Sequence, residues 1–227
     1  LYKNGAQIIQ KPFSVGARIE HPQKLIDKAQ YGAFAGHPKL GAADYKLSCH
    51  GLHQRGAYTF CMCPGGTVVA AASEKGGVIV NGMSTLARDG ENANSALLVG
   101  IDPVDFPSEH PLAGMYYQRE IEQNAFALGG GDYRAPAQLV GDFLADRESR
   151  ALGNVQPTCP TGVTLTNLRY CLPDKVRTTM QAAITEMDKR LHGFALPDAV
   201  LTAPETRSSS SVRILRDEFC QCNLRGV

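Results

Sequence analysis

Cys61 and Cys63 stand one residue apart in RGAYTFCMCPGGTVVAAASEKGGVIVNG, residues 55–82, just before a Pro-Gly-Gly turn. Two thiols at this spacing admit a disulfide, half of a metal site, a redox dithiol, or small side chains lining a cleft. On a regular strand residues i and i+2 share a face, so both thiols point one way and Met62 the other. A bridge between such residues is strained against preferred disulfide geometry. Zinc needs two more ligands; Cys220 and Cys222 could supply them, but neither pair has the C-x-x-C spacing of a zinc knuckle. Burial as two small structural residues is the plain alternative. A lining role draws on Gly65 and Gly66, which let a backbone approach a ligand closely.

A second group lies in PETRSSSSVRILRD, residues 204–217. The guanidinium of Arg207 and the hydroxyls of Ser208 and Ser209 suit a carboxylate or phosphate. The competing reading is a solvated polar strand edge. The loop GENANSALLVG, residues 90–100, either presents amides such as Asn94 to a ligand or closes a hairpin. No nucleotide fingerprint is present. Gly129–Gly131 ends a helix instead of opening one, and GNVQPTCPTG has no lysine for a phosphate loop. No H-E-x-x-H or G-x-S-x-G motif occurs, and the six histidines are dispersed.

The elements that must position these residues follow from pattern. The run from Phe13 to Ile19 alternates as a strand, and Pro22 suits the first position of a short helix reaching Tyr31. Residues 32–43 read as a loop. From Tyr45 to Ile101, short β-runs separated by PGG, EKGG and RDGENAN predict antiparallel hairpins. Tyr117, Ile121, Ala125 and Leu128 keep helical spacing, as do Val176, Met180, Ile184, Met187 and Leu191, with Asp174 as the expected N-cap of the second helix. APAQLVGDFLAD reads as strand or helical turn, and the segments around DAVLTAPE, VRILRD and CNLRGV as strands. The fold class is therefore α+β: mainly an antiparallel or barrel-like sheet with two long flanking helices.

A chain of 227 residues that is 43% hydrophobic can bury a sizeable core. Its net charge of +1 offers no basic stripe for nucleic acid. It has no apolar run long enough to span a bilayer. Seven cysteines, an odd number, without a visible signal segment point to a reducing compartment, the cytoplasm, with free thiols and no metal. The opening LYKNGAQIIQ and the closing NLRGV read as the middle of a longer protein.

Four blocks, PFSVGARIEHPQKLIDKAQYG, the stretch from YTFCMCPGG to ALLVG, PLAGMYYQREIEQNAFALGGGDYRAPAQLVGDFL and DAVLTAPETRSSSSVRILRD, carry a family resemblance over nearly the whole chain. Together they resemble the large FAD-dependent, NAD(FAD)-utilising dehydrogenase-like flavoproteins of bacteria. FCMCPGG and ETRSSS are the specific blocks. Family members carry Gly-rich dinucleotide-binding segments that this sequence lacks. The resemblance thus implies that residues 1–227 are an inserted cap or substrate domain, with residues 1–20 and 201–227 supplying strands that join an FAD-binding domain. It implies FAD in the parent protein with NAD(P)H as a possible partner, no cofactor bound by this piece alone, and a small-molecule substrate. It places Arg207, Cys61 and Cys63 at the chemistry, and Gly65, Gly66, Asn94, Ser208 and Ser209 at the cofactor. Where the family commonly has proline before the Val-Arg that follows the serines, this chain has Ser211. A metal- or thiol-based binding module, or a partner-binding domain tethered to a flavoprotein, are the alternatives.

Overall fold

The computed structural model describes residues 1–226. Two long strands, β2 (Phe13–Pro22) and β7 (Asn92–Ile101), pair antiparallel over ten residues and form its axis. β1 (Ile8–Gln10) precedes them. The remaining elements are α1 (Gln23–Tyr31), β3 (Ser48–Leu52), β4 (Arg55–Cys63), β5 (Gly66–Ala70), β6 (Val80–Ser84), α2 (Ala113–Gly129), β8 (Ala135–Leu139), α3 (Val140–Leu144), β9 (Val163–Leu165), α4 (Asp174–Asp188), β10 (Val200–Glu205) and β11 (Val212–Ile214). Seven strands make one sheet in the order β3-β4-β7-β2-β10-β8-β9, antiparallel except for β8 and β9. The architecture is α+β, and the sheet is open, not a closed barrel.

Strand periodicity divides the sheet into two unlike faces. Val15, Ala17 and Ile19 of β2, with Leu97 and Val99 of β7, belong to the apolar core that includes Val176, Met180, Ile184 and Met187 of α4. The opposite face of β2 carries Ser14, Gly16, Arg18 and Glu20. Register sets these beside Asn92 and Asn94 on β7 and Thr202 and Glu205 on β10. All of these polar side chains are buried. The antiparallel hairpin β5–β6 lies over this polar face.

Local signals hold to within a few residues. Pro22 closes β2 and is the N-cap of α1, one position earlier than expected. Asp174 is the first residue of α4 and Pro173 its N-cap. Gly130, at φ 111°, ends α2 in the left-handed conformation that glycine adopts without strain. APAQLVGDFLAD is both things at once, strand β8 running straight into helix α3.

The terminal stretches divide between two sheets. β2 and β10 are central strands of the seven-stranded sheet, paired with each other. Only β1 and β11 lie apart, paired with each other as a two-stranded ribbon. CNLRGV forms no strand over residues 222–226, and Val227 lies outside the described residues. Among the described residues no helix is long and apolar enough to cross a membrane.

Candidate functional site

Arg18 is the centre of the polar face. It sits in the middle of β2, between two neighbouring strands, with no exposed surface. A charge so placed must be matched, because moving it from water costs several kcal/mol after relaxation. Its Nε donates to Asn94 Oδ1 at 3.0 Å and one terminal nitrogen faces Glu205 Oε2 at 3.3 Å. The other terminal nitrogen donates to the Cys61 carbonyl at 2.8 Å and reaches Cys63 Sγ at 3.5 Å. Four partners from three strands thus converge on one guanidinium. Burial pushes the Glu205 carboxyl above its ordinary value, and Arg18 pulls it back only in part.

Glu20, two residues on, is equally buried and fastens the cover. Thr158 donates to it from Oγ1 at 2.6 Å and from its backbone N–H, and Asn92 Nδ2 donates at 3.2 Å. The same Thr158 Oγ1 accepts the Val68 N–H of β5 at 2.8 Å. One threonine therefore ties the β5–β6 hairpin and the 154–160 loop to the sheet. Burial raises the Glu20 carboxyl against these donors.

The cysteine pair departs from the regular strand that sequence reasoning assumed. Phe60 opposes Ala96 and Cys63 opposes Asn94, so an extra residue bulges β4 between them, with Cys61 at φ 43°. The bulge separates the environments of the two thiols: Cys61 is exposed and Cys63 is buried. Cys63 Sγ turns back and donates to the Cys61 carbonyl at 3.2 Å. Burial, and then Glu205, push the Cys61 thiol above its ordinary value.

The glycines after the pair are taken up by the chain itself. Gly65, at φ 49°, donates its N–H to Gln23 Oε1 at 2.7 Å and accepts from Gly90 N at 3.1 Å. A Cβ on Gly65 would overlap the Arg88 backbone, and one on Gly66 would overlap the Met83 carbonyl and Cys63. Their bareness lets three segments of this chain close together.

Arg207 lies in a separate ion network. Its Nε and a terminal nitrogen grip the buried Glu122 of α2 at 2.9 and 2.7 Å, and Glu74 stands 3.3 Å away. Thr206 Oγ1 donates to the same Glu122 at 2.6 Å. Ser208 touches the Ser14 carbonyl at 3.4 Å, and Ser209 is exposed. Ser211 is buried and donates to Gln118 Oε1. Of the residues singled out from sequence, Cys61, Cys63 and Asn94 meet on Arg18, and Arg207 does not join them. Sequence reasoning missed Arg18, Glu205 and Glu20. The available signal was a charge inside a strand reading as doubly buried, since Arg and Glu go fully inside only when paired.

An open cleft of about 580 Å³ lies elsewhere, at the start of α1, where Lys24 and Arg88 share the lining with Asp27, Asp89 and Glu91. It is large enough for a ligand, yet its charges are of both signs and its lining side chains Lys24, Arg88 and Asp89 are exposed. The convergent buried chemistry is at Arg18.

Residues 12–208 match the family model described as FAD-dependent protein, C-terminal domain-like. The chain belongs to this family. An uncharacterized protein of Clostridium beijerinckii is 51% identical over 218 residues, covering 96% of this chain and 41% of that relative. The chain thus spans about two fifths of that relative's length. The glycines at 65 and 66 are filled by this chain's own backbone, and α1, α2 and α4 are preceded by Pro22, Leu112 and Pro173, not by a Gly-rich turn. The starts of α1, α2 and α4 thus differ from the Gly-rich turn that presents backbone donors to a pyrophosphate in dinucleotide-binding folds.

Proposed function

We propose that this chain is the substrate-side domain of a cytoplasmic FAD-dependent oxidoreductase of the NAD(P)-linked dehydrogenase type, inactive alone and packed on the FAD-binding domain of its own longer chain. The observation that carries this reading is membership, over nearly all of the chain, of a family described by FAD dependence in a domain without a Gly-rich pyrophosphate turn. FAD would then be held by the remainder of the parent protein, with NADH or NADPH as reductant and a small molecule as substrate.

The face offered to the flavin side is the one bearing Phe60, Cys61 and Met83, all exposed around the buried Arg18 centre. Here Arg18 holds the bulge in shape through the Cys61 carbonyl, Asn94 orients Arg18, and Gly65 and Gly66 close the turn that supports them. Cys61 is the thiol that faces outward. Arg207 acts at a distance, fixing the Thr206–Ser209 segment by its grip on Glu122, with Ser208 and Ser209 at the rim. No nucleic acid or membrane takes part in this reading.

The test is to purify the full-length parent and the 227-residue chain side by side. The parent should be yellow and should bleach with NADH or NADPH under anaerobic conditions, while the chain alone should be colourless and leave FAD fluorescence unquenched. A colourless parent that takes up no flavin, or tight stoichiometric FAD binding by the chain alone, would overturn the assignment.

A further inference from the structure

Asparagine followed by glycine is a step open to loss of the side-chain amide, because no Cβ shields the next backbone nitrogen. The chain has Asn4–Gly5 and Asn81–Gly82, with Asp89–Gly90 as an aspartyl counterpart. Asn4, Asn81 and Asp89 are all exposed, so access does not distinguish them. What the glycine nitrogen does distinguishes them. The Gly5 N–H donates to the Tyr2 carbonyl at 3.0 Å, and the Gly90 N–H to the Gly65 carbonyl at 3.1 Å. The Gly82 N–H instead donates to Oδ1 of Asn81 itself, at 2.8 Å. Register leaves it free to do so. Val68 and Gly82 are partners in the β5–β6 hairpin, and the Val68 N–H turns away to Thr158 Oγ1. They are therefore a non-hydrogen-bonded pair, in which the Gly82 N–H also lies outside the ladder.

The carboxamide carbon of Asn81, one bond of about 1.2 Å from that oxygen, is thereby kept close to the nitrogen that can attack it. Gly82 also lies against the guanidinium of Arg18, which Asn94, Glu205 and the Cys61 carbonyl hold in place. A fixed positive charge beside an amide favours loss of its proton. The other glycines lack this neighbour: a Cβ on Gly5 would meet nothing within 4 Å, and one on Gly90 would meet the backbone of Gly65 and Gly66. We propose that Asn81 is a site of spontaneous self-modification, deamidating through a cyclic imide formed with the Gly82 nitrogen, and that its conversion releases the β5–β6 cover from Arg18.

The chemistry balances in two steps with water as the sole co-reactant. The Gly82 nitrogen loses its proton and bonds to Cγ of Asn81, the C–NH2 bond breaks, and ammonia leaves with that proton. Water then opens the five-membered imide at either carbonyl, giving an aspartyl or an isoaspartyl residue at position 81. No electron changes hands. The isoaspartyl product carries the main chain through the former side chain, adding one carbon to β6 and shifting its pairing with β5 as a bulge does. Only a glycine fits against Arg18 at this point, so a shifted β6 cannot seat on the guanidinium. No flavin takes part, and the site stands or falls apart from the proposed oxidoreductase role.

The 227-residue chain is held folded at mildly alkaline pH, sampled over time, digested with trypsin and read by mass spectrometry, with isoaspartyl methyltransferase marking the isomer. The peptide from Gly76 to Arg88 should gain about one mass unit and accept methyl groups. In the folded chain it should convert roughly tenfold or more faster than the peptide from Asn4 to Lys11, and in urea the two should converge. Asn81→Gln should keep the fold and leave its own peptide unmodified. In the converted protein, amide exchange at Val68 should quicken while amides in β2 and β7 keep their protection. Equal or faster conversion at Asn4 in the folded chain, conversion at Asn81 that is slower folded than in urea, a mass gain that persists in Asn81→Gln, or an unchanged Val68 amide after conversion would overturn the proposal.

Discussion

Gly82 of β6 lies against the guanidinium of Arg18: a Cβ at residue 82 would overlap the arginine's terminal nitrogen and Asn94 Oδ1. The arginine cannot yield, because Asn94, Glu205 and the Cys61 carbonyl hold it. Gly82→Ala should therefore destabilise the chain by about 1–3 kcal/mol, the usual cost of overpacking. Urea unfolding measures it. A change under about 0.5 kcal/mol would mean that the hairpin floats free of the sheet.

Removing one member of the buried pair should cost more than removing both. Arg18→Met leaves Glu205 charged and unmatched, a loss of about 3–5 kcal/mol, while Arg18→Met with Glu205→Gln should recover much of it. A double-mutant cycle by denaturant unfolding gives the coupling. Additive effects of the two substitutions would place the residues in independent environments.

His21 supplies a pH dependence with a defined sign. The ring is wholly buried; its Nε2 lies 2.8 Å from the Phe194 carbonyl, and burial lowers its pKa from 6.5 to about 4. Between those values the unfolded chain binds the proton and the folded chain does not, so stability falls as pH drops from 6.5 towards 4. The full effect is about 3 kcal/mol. Glu20 and Glu205 are shifted upward and act with the opposite slope above the ordinary carboxylate range. Comparing wild type with His21→Phe isolates the histidine: the variant should lack that part of the acid-side loss.

Arg207→Ala should act through structure. It strips the buried Glu122 of a bidentate partner, although the arginine itself is partly exposed. A loss of about 1–3 kcal/mol in thermal or urea unfolding is expected. Arg190, exposed and bonded to a single carbonyl of Ser48, is the comparison, with an expected change within about 0.5 kcal/mol for Arg190→Ala. Equal responses would remove Arg207 from any role in fixing its segment.

Thr158→Val should free the hairpin without unfolding the sheet. The substitution deletes the hydroxyl that accepts from Val68 N–H and donates to Glu20. Amide exchange at Val68 should quicken by about tenfold or more while amides in β2 and β7 keep their protection. Uniform loss of protection would show that the tie serves the whole domain.

What was legible from sequence was local. Helical spacing located α2 and α4, turn residues marked the hairpins, and a Pro-Gly-Gly turn beside two cysteines marked the region where the polar centre is found. The α+β class followed from those elements alone, because a 3.6-residue or 2-residue period, a Pro and a left-handed Gly act within a few residues of themselves. The pairing of charges was not legible. Arg18 and Glu205 are 187 residues apart, and only the adjacency of β2 and β10 in the sheet brings them into one buried cluster. The same holds for the cysteines: strand periodicity put both thiols on one face, and the bulge opposite Asn94–Ala96 separated them. A bulge is set by the register of two strands, and a buried charge by what three strands bring to it. Both depend on contacts between distant parts of the chain, so the sequence determined which elements form and the tertiary structure decided which residues meet.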